Sequence, residues 1–388
     1  MKRDTILTLR LPTEKGPQEY AVREPSVFEK PKKPFTRKAL AAAHVVADPL
    51  SAKEPWLEQA IDWDATIAYR RHLWSWGFGV AEAMDTAQRG MGLDWASSLE
   101  LIRRSIQASE KGDVIASGAG TDHLAAGKTY SIDEIIAAYD MQCAAIEKLG
   151  GRIILMASRA LAASAKSPDD YGKVYDRILS QVKEPVVIHW LGEMFDPALE
   201  GYWGKKDHLA AMDVCIGVIQ KNASKVDGIK VSLLDKDKEI VMRRKLPRGV
   251  RMYTGDDFNF AELIEGDAQG YSDALLGIFD SIAPAASQAL SFLAEKNVTQ
   301  YHEVLAPTVP LSRHIFKAPT RFYKTGVVFM AWLNGHQEHF VMVGGQQSAR
   351  HVLHFSELFR LADAAGLLSD PELACRRMKQ LLSLNGIQ

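Results

Sequence analysis

Cysteine is scarce in this chain: three residues in 388, at positions 143, 215 and 375. They are too far apart for a paired-thiol redox motif or a thiolate metal site, and all three sit in helix-like segments where cysteine fills core space. No stretch approaches the roughly eighteen uncharged apolar residues of a membrane span. Charge of one sign is missing too. With 47 basic and 48 acidic residues the formal net charge is -1, so nucleic acid is not an expected partner. No GxGxxG or GxxxxGK[ST] pattern follows an apolar run, which removes the usual nucleotide fingerprints. The opening MKRDTILTLRLP is basic, but its short apolar segment is broken by Arg10 and no cleavage-like site follows. A secretory leader is therefore not expected. A cytoplasmic enzyme acting on a small molecule fits these absences.

What is present is a rhythm. Residues 4–11 and 18–23 alternate polar and apolar around a Pro/Gly-containing turn, predicting an N-terminal β-hairpin, and EKPKKP at 29–34 reads as a solvated linker. From about residue 40, short apolar runs alternate with longer helix-like segments such as 131–148 and 206–222. The strand candidates are 41–49, 76–84, 112–120, 151–159, 185–192, 226–234, 250–257 and a weaker 269–277. Their cores are nearly continuous in apolar residues, as strands buried on both faces require. Eight units over some 240 residues predict an α/β fold, a (β/α)8 TIM barrel, with an open doubly wound sheet as the competitor. The expected divisions are a hairpin extension and linker at 1–38, a catalytic barrel at 39–285, and a C-terminal helical region packed on the barrel at 286–388.

In such a barrel the C-terminal ends of the strands share one mouth. The runs deliver His44 and Asp48, Glu82 and Asp85, Asp122 and His123, Ser158 and Arg159, His189 and Glu193, Lys230 and Ser232, and Asp256 and Asp257. Lys230, inside GIKVSLL, reads two ways: a buried amine made nucleophilic by a lowered pKa, or a lysine paired to Asp256 or Glu193. His189, directly after VVI, is either a satisfied core histidine or an acid/base group that Glu193 orients. Asp256 and Asp257 can bind sugar hydroxyls, cap the next helix or bind a cation. A metal reading stays open as well: His44, Asp48, Glu82, Asp122, His123, His189 and Glu193 form an N/O set suited to Mn²⁺, Mg²⁺ or Zn²⁺.

Several stretches, in order, resemble the dihydrodipicolinate synthase/N-acetylneuraminate lyase family of class I aldolases and lyases, in particular a divergent, longer subgroup. They are IDWDATIAYRRHL (61–73), DVIASGAGTDH (113–123), PVVIHWLG (185–192), DGIKVSLLD (227–235) and YTGDD (253–257). The resemblance covers roughly residues 40–285. It implies a homo-oligomeric TIM barrel in which Lys230 corresponds to the Schiff-base lysine, with no organic cofactor. The departures carry information too. His189 stands where the family typically has a tyrosine, LGEMF replaces the PxRT-like continuation, and VAEAMDTAQRG replaces the second-strand GTTGE. Both parts of the grip on a 2-keto acid carboxylate are thus absent, although Arg159 or Arg89 offers a substitute.

The expectation is a lyase or aldolase-like enzyme acting through Lys230 on a keto or aldehydo sugar derivative. His189 and Glu193 would serve in catalysis, and Asp256, Asp257, Asp122, Ser232 and Glu82 would contact substrate. The rivals are a divalent-metal-dependent sugar isomerase or lyase, and a non-catalytic sugar-binding or scaffold barrel with Lys230 in a saturated salt bridge.

Overall fold

The computed structural model describes residues 7–387. Strands β1 (Thr8–Thr13) and β2 (Gly16–Ala21) form the antiparallel hairpin. The part of the expected first strand at residues 4–6, and the basic start of the chain, lie outside the described residues. The linker at 29–34 carries no helix or strand.

Eight parallel strands then close a barrel: β3 (Ala39–Ala42), β4 (Gly79–Glu82), β5 (Ile115–Ala119), β6 (Arg152–Leu155), β7 (Val186–Leu191), β8 (Val226–Ser232), β9 (Arg251–Thr254) and β10 (Asp273–Leu276). Each pairs with the next in sequence and β10 closes onto β3, so the TIM barrel holds and the open sheet does not. Every expected strand run contains or overlaps its observed strand. The first is displaced: β3 ends at Ala42, leaving His44 and Asp48 in the following loop.

Helix starts follow the sequence closely. Ser131 caps Ile132–Lys148 in a capping box with Glu134, and Asp207 caps His208–Lys221 through the Ala210 amide, each satisfying first-turn N–H groups.

Strand parity sorts the side chains into two layers. Leu40, Ala42, Ala81, Ala116, Ile154, Val187, Tyr253 and Leu275 pack inside the barrel. Their alternate neighbours, among them Val80, Ile153, Ile188, Trp190, Ile229 and Val231, pack outward into the helical layer. The C-terminal region forms helices that include Ala283–Ala294, Thr308–Ile315, Tyr323–Leu333, Val352–Ala364 and Pro371–Leu384. Tyr323–Leu333 is buried at every position; this is why its apolar residues surround the helix rather than forming one stripe, with Lys324 and Thr325 as the exceptions.

Candidate active site

Parity turns His189 on β7 and Lys230 and Ser232 on β8 into the barrel, because Ile188, Trp190, Ile229 and Val231 take the outward positions. His189 and Lys230 are register partners on the neighbouring strands. His189 is wholly buried and Lys230 is 7% exposed. Room for the lysine comes from Gly255 after β9: a Cβ there would lie 2.8 Å from Lys230 Cε and 2.6 Å from the Val231 carbonyl oxygen. The glycine of YTGDD is thus a matter of close approach.

Among the described residues, no carboxylate lies within 4.0 Å of the Lys230 amine and no hydrogen bond is made to it. Burial pushes its pKa down, while Asp257 and Asp85 pull the other way. His189 is held well below the usual imidazole range by burial and by Lys230, so it stands neutral. Its Nε2 is 3.3 Å from Ser232 Oγ. Its Nδ1 makes no hydrogen bond and lies 3.9 Å from Asp85 Oδ2. Asp257 accepts from the Ile278 amide at 2.9 Å, and burial pushes its carboxyl up to about 7.

A cavity of about 450 Å³ is lined by Asp85, His189, Arg89, Asp122 and Arg159, among others. Lys230 does not line it, but its register partner His189 does. The outer wall is charge-paired. Arg89 holds Asp122 through Nε at 2.9 Å and through a second, shorter contact, and Arg159 holds Asp196. Burial acts against the Asp122 charge, but Arg89 and Gln142 outweigh it and leave the carboxyl below the usual range.

The other expected site residues go elsewhere. Glu82 shares the parity of Val80 and faces outward, where Arg70 grips it at 2.9 and 2.8 Å and Ser105 donates to it at 2.5 Å. Asp256 caps its own loop, accepting from the Phe258 and Asn259 amides and from Asn259 Nδ2. Glu193 pairs with His208 at 3.2 Å instead of orienting His189. His44 is tied to Asp280 through Nδ1 at 2.8 Å, Asp48 accepts from the Leu50 amide, and His123 meets Gln142 at 2.9 Å. Among the described residues, no three His, Cys, Asp or Glu side chains are arranged to hold a metal ion. Of the seven metal candidates, Asp122 and His123 share Gln142 as a partner, and the other five make separate contacts.

The strand-end reading passed over the contribution of the helix Tyr323–Leu333. Tyr323 Oη meets Thr86 Oγ1 at 2.8 Å, next to Asp85. Lys324, 5% exposed, donates to the Arg321 carbonyl at 3.1 Å and approaches Met91 Sδ at 3.4 Å. Burial lowers its pKa to about 8 against the pull of Asp85. A lysine opening an otherwise apolar helix was the available signal.

The chain shares its fold with solved dihydrodipicolinate synthases at low identity. Against the enzyme from Aquifex aeolicus the TM-score is 0.64 at 11% identity, covering 86% of this chain and 99% of the other. Against the 4-hydroxy-tetrahydrodipicolinate synthase from Methylacidiphilum fumariolicum SolV it is 0.63 at 14%, covering 89% and 99%. Against YagE of E. coli K12, a family protein solved with pyruvate, it is 0.62 at 12%, covering 91% and 99%. No curated protein matches the chain. The model of one sequence family, described as Protein of unknown function (DUF993), matches residues 9–387, and the chain belongs to that family.

Proposed function

We propose that this protein is a lyase or aldolase-like enzyme that works through a Schiff base on Lys230, on a keto or aldehydo sugar derivative. The observation that carries the reading is a buried amine with no carboxylate in ion-pair range, beside a neutral imidazole. Desolvation favours the uncharged amine that attacks a carbonyl. The two carboxylates considered as structural partners, Asp256 and Glu193, are engaged elsewhere.

In the proposed sequence the Lys230 lone pair adds to the carbonyl carbon and the oxygen takes up a proton. Water then leaves to give an iminium. Its positive nitrogen draws in the electron pair of the bond cleaved at the neighbouring carbon, supporting C–C cleavage, β-elimination or, in reverse, hydration. His189 moves the protons through Nδ1, the nitrogen on the Asp85 side. The charge-paired wall favours a neutral, hydroxylated substrate, because Asp122 and Asp196 spend their charge on arginines.

The test is borohydride reduction in the presence of candidate keto and aldehydo sugars, followed by mass measurement of the peptide bearing Lys230. A reduced adduct on Lys230 is expected. Turnover of a sugar with no adduct would sink the proposal.

A further inference from the structure

A second hollow, of about 460 Å³, lies between the turn of the N-terminal hairpin and the C-terminal helices Thr308–Ile315 and Val352–Ala364. Its walls carry Lys15, Lys317 and Arg360 against Glu14 and Glu357, with the imidazoles of His314 and His351 between them. Lys317 makes no ion pair within 4.0 Å among the described residues. Arg360 donates to Ser356 Oγ at 3.2 Å and to the Leu11 carbonyl at 3.4 Å, lies 3.9 Å from Glu357, and sits over the Tyr20 ring at 5.5 Å.

Behind this wall, His354 is 1% exposed, and neither of its ring nitrogens has a hydrogen-bond partner. It stacks on His314 with ring centroids 4.3 Å apart. His314 is held down to about 4, first by burial and then by Lys317, Arg350 and His351, against a hydrogen bond to the His354 carbonyl. Burial and Arg350 also lower Lys317. His314 is thus neutral, and the cations facing it are Lys317 and Arg350, with Glu357 the carboxylate that acts on Lys317.

The hollow also receives the first turn of the thirteen-residue helix Val352–Ala364, which begins at the capping residue His351. The amides of a first turn lack intrahelical acceptors and favour an anion. His351 Nδ1 accepts from the His354 amide, leaving Nε2 for a ligand.

We propose that this hollow is a binding site for a phosphate group, free or carried on a monoester, held by Lys317, Arg360, His351 and the start of the helix. A compact dianion with several acceptor oxygens can use an amine, a guanidinium and an imidazole that line one hollow better than a single carboxylate can. The volume exceeds that of a bare phosphate and leaves room for the organic part of an ester. A ligand there would bridge the N-terminal hairpin and the C-terminal helices, well apart in sequence from the barrel strands that carry Lys230.

The experiment is calorimetric titration of the full chain with inorganic phosphate, against sodium chloride at matched ionic strength. Saturable one-site binding is expected, weakened about tenfold in Lys317→Gln and again in His351→Asn, where asparagine preserves the helix cap. Melting without phosphate should be unchanged in both variants. Phenyl phosphate in place of phosphate separates the sources: tighter binding assigns an ester, equal binding the free ion. Absence of saturable binding overturns the proposal. So does binding that both variants leave intact, whether or not Arg159→Gln abolishes it, since the phosphate would then lie outside this hollow.

Discussion

Arg70 and Glu82 form a closed ion pair outside the barrel wall, with both side chains at 0% exposure and two hydrogen bonds of 2.9 and 2.8 Å. The arginine also bonds the Thr66 carbonyl at 3.2 Å and the His44 carbonyl. Removing one partner strands a buried charge, so Glu82→Gln should cost about 3 kcal/mol of stability. The Arg70→Met/Glu82→Met double variant should recover part of that loss. Urea unfolding of the single and double variants measures both. A Glu82→Gln protein of unchanged stability would contradict the structural role.

Lys230→Met should abolish borohydride trapping and at the same time raise the melting temperature. A depressed lysine pKa contributes stability only above its unfolded value of about 10.4, and that contribution is lost as pH falls. At neutral pH the native lysine therefore costs stability that methionine does not. Thermal melts at pH 7 check the sign; a lower melting temperature would show that the amine is held by an attractive partner.

Lys324 provides a bounded pH window. Its folded pKa is pushed down to about 8, so its contribution to stability is present above about pH 10.4 and lost as pH falls through 8. Lys324→Met should match the native protein in strongly alkaline solution and exceed it by about 3 kcal/mol at pH 7. Melting curves at pH 7, 9 and 10.5 measure the gap, which must widen as pH falls.

Glu239 titrates in the opposite sense. Burial pushes its carboxyl up to about 8; Ser272 Oγ donates to Oε1 at 2.7 Å, and Oε2 is left without a partner. A raised carboxyl contributes stability below its unfolded value of about 4.3 and loses it as pH rises through 8. Glu239→Gln should remove that decline, so the variant becomes the more stable form by at least about 1 kcal/mol near pH 9. Denaturant midpoints from pH 5 to 9 decide it.

Gly255→Ala should impair the Lys230 centre without replacing any ionisable residue. The added methyl would lie 2.6 Å from the Val231 carbonyl oxygen and 2.8 Å from Lys230 Cε, and overpacking of this kind costs about 1–3 kcal/mol. Trapping on the Lys230 peptide should slow about tenfold. Trapping at the native rate would mean that the glycine is not what makes room for the amine.

The sequence by itself pointed to the barrel over an open doubly wound sheet, and the closure of β10 onto β3 removed the competitor. Eight apolar runs separated by helix-length segments have one economical closed arrangement, and the runs around Ile154, Ile188 and Ile229 were visible because burial on both faces demands continuous apolarity. It also singled out Lys230, since a lysine inside GIKVSLL breaks that continuity. Tertiary structure decided which ionisable side chains share a space. Glu82 and Lys230 both sit near strand ends, yet opposite phases of a two-residue repeat send one outward to Arg70 and the other inward beside His189. Asp256 and Asp257 are adjacent, yet one caps its own loop while the other lies within the field of the lysine. Lys324 comes within the field of Asp85 from nearly a hundred residues beyond β8, on a helix whose first residue, Tyr323, meets Thr86. Periodicity records burial one element at a time. Convergence between distant elements is set by packing, and packing alone brought these groups together.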